Sequence, residues 1–166
     1  MSIAQLNASH VRSQDRLLLR INTTQDEEYR LWLTRLLTGA LLARSSELLQ
    51  QAIAQETSPT TAAALSEFRQ EAMQGELKAG GFQPARRLPL GAEPQLVAGC
   101  ALDRNGGQYA LRLLLPGREL GMPLGETQLR KLALLLDRIQ KQAGWGLEAA
   151  ATAPATAPGP SIRTLH

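Results

Sequence analysis

The chain has 166 residues, a formal net charge of +3, 43% hydrophobic residues and 4% aromatics. A chain of that length can bury a sizeable core, and the apolar fraction argues against disorder throughout. A single Cys rules out an intrachain disulfide framework and a Cys-based zinc site. No run of about 18 apolar residues occurs, so no helical membrane span is expected.

Met1 to His10 has neither a basic n-region nor an apolar core, so a cytoplasmic protein is expected. Basic residues are 15 Arg and 3 Lys, the skew of a GC-rich, bacterial-looking coding sequence. Residues 1–80 hold 8 basic and 9 acidic residues, and residues 81–148 hold 9 and 6. Neither half is a polybasic field.

Ser2 to Ala8 is a candidate first strand. Arg16-Leu17-Leu18-Leu19-Arg20-Ile21 and Tyr29-Arg30-Leu31-Trp32-Leu33 alternate around the polar segment Asn22 to Glu28, which reads as a hairpin. Thr34 can cap a helix running to about Glu56, with Leu37, Leu41, Leu48 and Ala52 on one stripe and Leu36 and Ala40 beside it. Ser58-Pro59 predicts a second helix to about Leu77. Residues 80–94, with three prolines, three glycines and Arg86-Arg87, read as a long loop.

Gln95 to Asp103 and Gln108 to Leu115 flank Arg104-Asn105-Gly106-Gly107, and Asn-Gly between apolar runs predicts a hairpin. Arg118 to Leu124 can add an edge strand. Gly125 opens a last helix with Leu129, Leu132, Leu136, Ile139 and Ala143 on one face. The Ala/Thr/Pro-rich stretch 149–166 reads as a disordered tail.

The expected architecture is one α+β domain over residues 1–148, with an antiparallel sheet of about five or six strands and three helices on one face. Tyr29, Leu31 and Leu33 recur as Tyr109, Leu111 and Leu113, each set after a polar turn and ahead of a Leu-rich helix. Two hairpin–helix repeats and chance sharing between alternating strands both explain this echo. The order of elements is similar to that of the PUR and Whirly single-strand-binding folds, in topology only. The stretch DRLLLR at 15–20 followed by YRLWLTR at 29–35 resembles a pattern in small uncharacterised proteobacterial proteins. That resemblance implies a bacterial, cytosolic protein and no particular activity.

Enzyme chemistry is thinly represented. The two histidines are His10, expected at a strand end on the surface, and His166. Neither a G-x-S-x-G elbow nor a phosphate-binding G-x-x-x-x-G-K-[ST] loop occurs. Asp26-Glu27-Glu28 reads as a solvated turn rather than a metal site, and no cofactor or metal is expected. Cys100, in step with Leu96, Ala98 and Leu102, should face the core as a small hydrophobe.

Strand parity gives the most informative surface. With helices on the oily face, Arg16, Arg20, Arg30, Trp32 and Arg112 fall on the outer face, and Arg86 and Arg87 on the loop. Guanidinium groups track phosphates and an indole stacks on a base, so single-stranded DNA or RNA is the specific expectation. An Arg-rich chain also gives any exposed sheet face this character. Trp and Arg are equally the residues of protein–protein hot spots, which makes an adaptor, regulatory subunit or homodimer the alternative.

Overall fold

Leu17, Leu19 and Ile21 are wholly buried while Arg16, Leu18 and Arg20 between them keep some exposure, the period-two pattern of a strand covered on one side. The computed structural model describes residues 2–56 and 81–147. Its elements are β1 (Ile3–Val11), β2 (Arg16–Thr23), β3 (Glu28–Leu33) and α1 (Arg35–Glu56), then β4 (Gln95–Leu96), β5 (Gly99–Asn105), β6 (Gln108–Leu115), β7 (Arg118–Leu124) and α2 (Glu126–Ala143). The helix expected over 58–77 and the tail 149–166 lie outside the described residues.

The strands form two hydrogen-bonded sheets, of order β1-β2-β3-β4 and β5-β6-β7, in place of the single sheet of five or six strands that was expected. Among the described residues there are two α-helices, and the third one expected falls outside them. Pairing is antiparallel except between β3 and β4, where Leu31 faces Gln95 and Trp32 faces Leu96 in parallel register. One short stretch of chain hydrogen-bonds to both sheets, and β1 also approaches β7. The Val97 N–H donates to the Trp32 carbonyl at 3.0 Å, and the Ala98 N–H donates to the Leu114 carbonyl at 2.8 Å. Residues 95–105 thus serve β3 with their first half and β6 with their second.

At that crossover the alternation slips. Ala98 is exposed, and the next residue, Gly99, already opposes exposed Leu114. A Cβ on Gly99 would lie 3.0 Å from Leu114 Cδ1, so the small residue leaves room for that side chain. The slip corrects the phase expected for this segment but not the place of Cys100. Leu96 and Ala98 point outward, while Cys100 opposes buried Leu113 and packs, partly buried, against the core. Burial pushes its thiol pKa up, which disfavours the reactive thiolate.

The helices begin as their sequences dictate. Thr34 Oγ1 accepts the Leu37 N–H at 3.3 Å and caps α1. Its buried stripe is Thr38, Leu41, Ser45, Leu48 and Ala52, so Leu36 faces solvent, 81% exposed. In α2, Leu129, Leu132, Leu136 and Ile139 are buried as predicted, and Gly144 ends the helix at φ 68°.

The two helices cross over between units. Each of β1-β2-β3-α1 and β5-β6-β7-α2 is a three-stranded meander followed by a helix. α1 packs on β5 of the other unit, α2 packs on β1, and the helices pack on each other. One core cluster therefore draws Leu19, Leu31, Leu41, Leu111, Leu113 and Leu132 from both units. The sequence echo aligns these units one strand out of step, because Tyr29 sits on the third strand of its meander and Tyr109 on the second.

Candidate functional site

Arg16, Leu18 and Arg20 of β2 share one face with Arg30 and Trp32 of β3, as strand parity predicts. Arg20 and Arg30 are directly opposed in the ladder. Two guanidinium groups in that position would repel, and Glu28 resolves the conflict. It has the parity of Arg30 and Trp32, and its side chain is wholly buried. Glu28 Oε1 accepts the Nε–H of Arg20 and of Arg30, each at 2.7 Å. Burial alone would raise the Glu28 pKa, but the hydrogen bonds and charges of the two arginines outweigh it and hold the carboxyl below its ordinary range.

The loop over residues 81–94 closes this end of the face. The Arg20 guanidinium lies 4.1 Å above the Phe82 ring. The Asn22 amide donates to the Gln83 carbonyl, the Ala85 N–H reaches Glu28 Oε2 at 3.4 Å, and Arg30 Nη1 donates to the Ala92 carbonyl at 3.1 Å. Arg86 and Arg87 answer the acids of the β2–β3 turn. The Arg86 N–H donates to Asp26 Oδ1 at 3.2 Å, and Arg87 Nη2 lies 3.6 Å from Glu27 Oε1. The Arg87 carbonyl also accepts the Glu28 N–H at 2.8 Å.

The predicted residues therefore divide. Arg20 and Arg30 come together, but onto a shared carboxylate. Arg86 and Arg87 pin the loop to the turn. Arg112 lies on the second sheet, in an exposed ion pair with Asp103 at 2.8 Å. Arg16 is partly exposed, and its side chain has no hydrogen bond or ion pair among the described residues. Trp32 is half-buried on the outer face.

The neighbours of Trp32 follow from strand pairing and not from local periodicity. Leu18 and Leu96 flank it in register on the adjoining strands. Beyond Leu96, exposed Ala98 leads to Leu114 across the junction of the sheets. Leu96 is 39% and Leu114 48% exposed. The result is an apolar stripe of Leu18, Trp32, Leu96, Ala98 and Leu114 running over both sheets. Glu28 was read as the end of a polar turn. Extending β3 by one residue would have placed its carboxylate beside Arg30.

A second polar cluster joins the start of the chain to its last described residues. His10 is largely buried, a correction to its expected surface position, and its ring meets Trp145 edge-on with centroids 5.3 Å apart. Trp145 Nε1–H donates to Asp15 Oδ1 at 2.8 Å, and Arg35 Nη2 lies 3.8 Å from Asp15 Oδ2. The Trp145 hydrogen bond is the largest cause holding the Asp15 pKa below its usual range, with Arg35 adding to it. Asp15 adopts left-handed backbone geometry, φ 46°. His10 Nε2 is 3.6 Å from Asp15 Oδ1, too far for a hydrogen bond. The cluster staples β1, the β1–β2 turn and the end of α2.

Among the described residues, no group of three or more His, Cys, Asp or Glu gathers to hold a metal ion. None of their helices is long and apolar enough to cross a membrane. No protein-family model, curated protein or solved structure matches the chain.

Proposed function

We propose that this chain is a protein-interaction module that docks a partner on the outer face of its two sheets. The observation that carries this reading is the in-register row Leu18–Trp32–Leu96, continued by Ala98 and Leu114. A solvent-facing apolar row centred on an indole and rimmed by arginines has the composition of an interface hot spot. The partner it fits presents an apolar ridge at the centre and a carboxylate opposite Arg16.

Single-stranded nucleic acid is served less well by the same geometry. Two of the cations chosen for phosphate contact are committed to Glu28, and two others make partly exposed pairs of 3.6–3.7 Å with the acids of the turn. Phosphate contact would have to compete with those carboxylates, and one half-buried indole gives little stacking surface.

The test uses a photo-crosslinking amino acid at position 18 or 114 in the full chain, expressed in cells. A discrete crosslinked protein from both positions, lost on Trp32→Ala while the circular dichroism spectrum is retained, supports the proposal. An anisotropy titration against single-stranded DNA and RNA at two salt concentrations is run beside it. Binding that falls steeply with salt and is lost on Arg16→Ala would overturn the proposal in favour of the nucleic-acid reading.

A further inference from the structure

Strand β1 ends the order of its sheet, so one of its edges has no hydrogen-bonded neighbour strand among the described residues. A groove of about 690 Å³ runs along this strand, between it and α2. It is lined by Ala4 through His10 without a gap. A strand seen face-on contributes alternate residues, so an unbroken run of seven means that the backbone edge itself borders the groove. Across from it, Leu135 and Ile139 of α2 form an apolar wall. The charged residues of the lining are Arg12, Lys131 and Arg138, with no carboxylate among them. Arg12 and Arg138 are exposed, and neither has an ion pair among the described residues.

We propose that this groove receives an extended acidic segment of a partner protein, added as a new strand along the edge of β1 that has no neighbour strand among the described residues. The surface is separate from the Trp32 stripe, and the two proposals stand or fall independently. Seven residues of strand span about 23 Å, which sets the length of the segment. Unpaired N–H and C=O groups along an edge match another extended backbone, the general mode of strand addition. Alternate side chains of the incoming segment turn toward Leu135 and Ile139, and acidic ones meet Arg12, Lys131 and Arg138. Charge argues against a second copy of this chain, because pairing β1 with β1 would bring both sets of cations together. A nucleic acid could satisfy the cations but not the row of backbone groups.

The experiment titrates the full chain with fluorescein-labelled octapeptides. One alternates Val and Glu, and one alternates Val and Lys. Two further Val–Glu peptides carry backbone N-methyl groups on one or the other alternate set of residues. The Val–Glu peptide should bind, and the Val–Lys peptide should bind at least about tenfold more weakly. Of the two methylated peptides, one should lose about tenfold and the other should bind nearly as well as the parent, since only one edge of an added strand meets β1. The exposed pair Arg12→Glu/Arg138→Glu should weaken the Val–Glu peptide and favour the Val–Lys peptide. Circular dichroism confirms that this variant is folded. The proposal is overturned by equal binding of both methylated peptides, by no binding of the acidic peptide, or by a thymidine oligonucleotide displacing the peptide at equal or lower concentration. A concentration-dependent dimer abolished by the charge-reversed pair would assign the edge to a second copy instead.

Discussion

Replacing Glu28 with Gln isolates the interaction on which the outer face depends. The change keeps the shape of the side chain and removes its charge. Arg20 and Arg30 then oppose each other across the ladder with no anion between them. Removing one partner of a buried ion pair costs about 3–5 kcal/mol. The Arg20 and Arg30 side chains retain 24% and 28% exposure, so water recovers part of that cost. An expected loss of about 2–3 kcal/mol remains, a large share of the roughly 5–15 kcal/mol that a domain holds. In urea at neutral pH the midpoint should fall by about 1 M. Adding Arg20→Met to Glu28→Gln should restore part of the loss, because it removes one of the two opposed cations.

The pH dependence carries the same sign. The folded-state pKa of Glu28 lies below its ordinary 4.5. Its contribution is therefore complete above that value and is lost as pH falls through the folded-state value. Glu28→Gln should flatten the wild-type decline in that acid window. A loss under about 0.5 kcal/mol, the scale of an exposed surface pair, with an unchanged acid profile, would refute this account of the face.

Other substitutions test the rest of the structure. Leu17→Ala and Leu111→Ala, at wholly buried positions, should each cost about 2–5 kcal/mol in urea denaturation, whereas Leu36→Ala should change stability by less than about 0.5 kcal/mol. Asp15→Ala should lower the thermal midpoint more than Asp15→Gly. Both lose the Trp145 hydrogen bond, but only Gly takes the left-handed backbone without strain. Arg112→Ala should leave the thermal midpoint unchanged, because its pair with Asp103 is half-exposed on both sides. A clear drop there would mean that the outer face of the second sheet is covered.

Local periodicity carried much of the architecture. Alternation in β2 and β3 placed Arg20, Arg30 and Trp32 on one face, and the 3.6-residue stripe of α2 named its buried leucines. It failed where partners are distant in sequence. Nothing local says that residues 95–105 serve two sheets, so the division into two could not be read, nor could the outward turn of Leu96 and Ala98 be separated from the inward turn of Leu102. Thr38 and Ser45 complete the buried stripe of α1, and two hydroxyl side chains among many leucines concealed its phase. The arginine cluster was legible, but its neutralising carboxylate sat at a strand start disguised as part of a turn. His10 was judged from its place at a strand end, while its burial depends on Trp145, far along the chain.

The exchange of helices between the two meanders bears on the order of folding. β1 leaves the ribosome long before the helix that packs on it, which begins only at Glu126. At ordinary translation speeds that interval is of order ten seconds. Over that time the nascent N-terminal half exposes leucines whose natural cover has not yet been synthesised. Truncation ahead of Glu126 should therefore yield an aggregation-prone fragment rather than a stable half-protein.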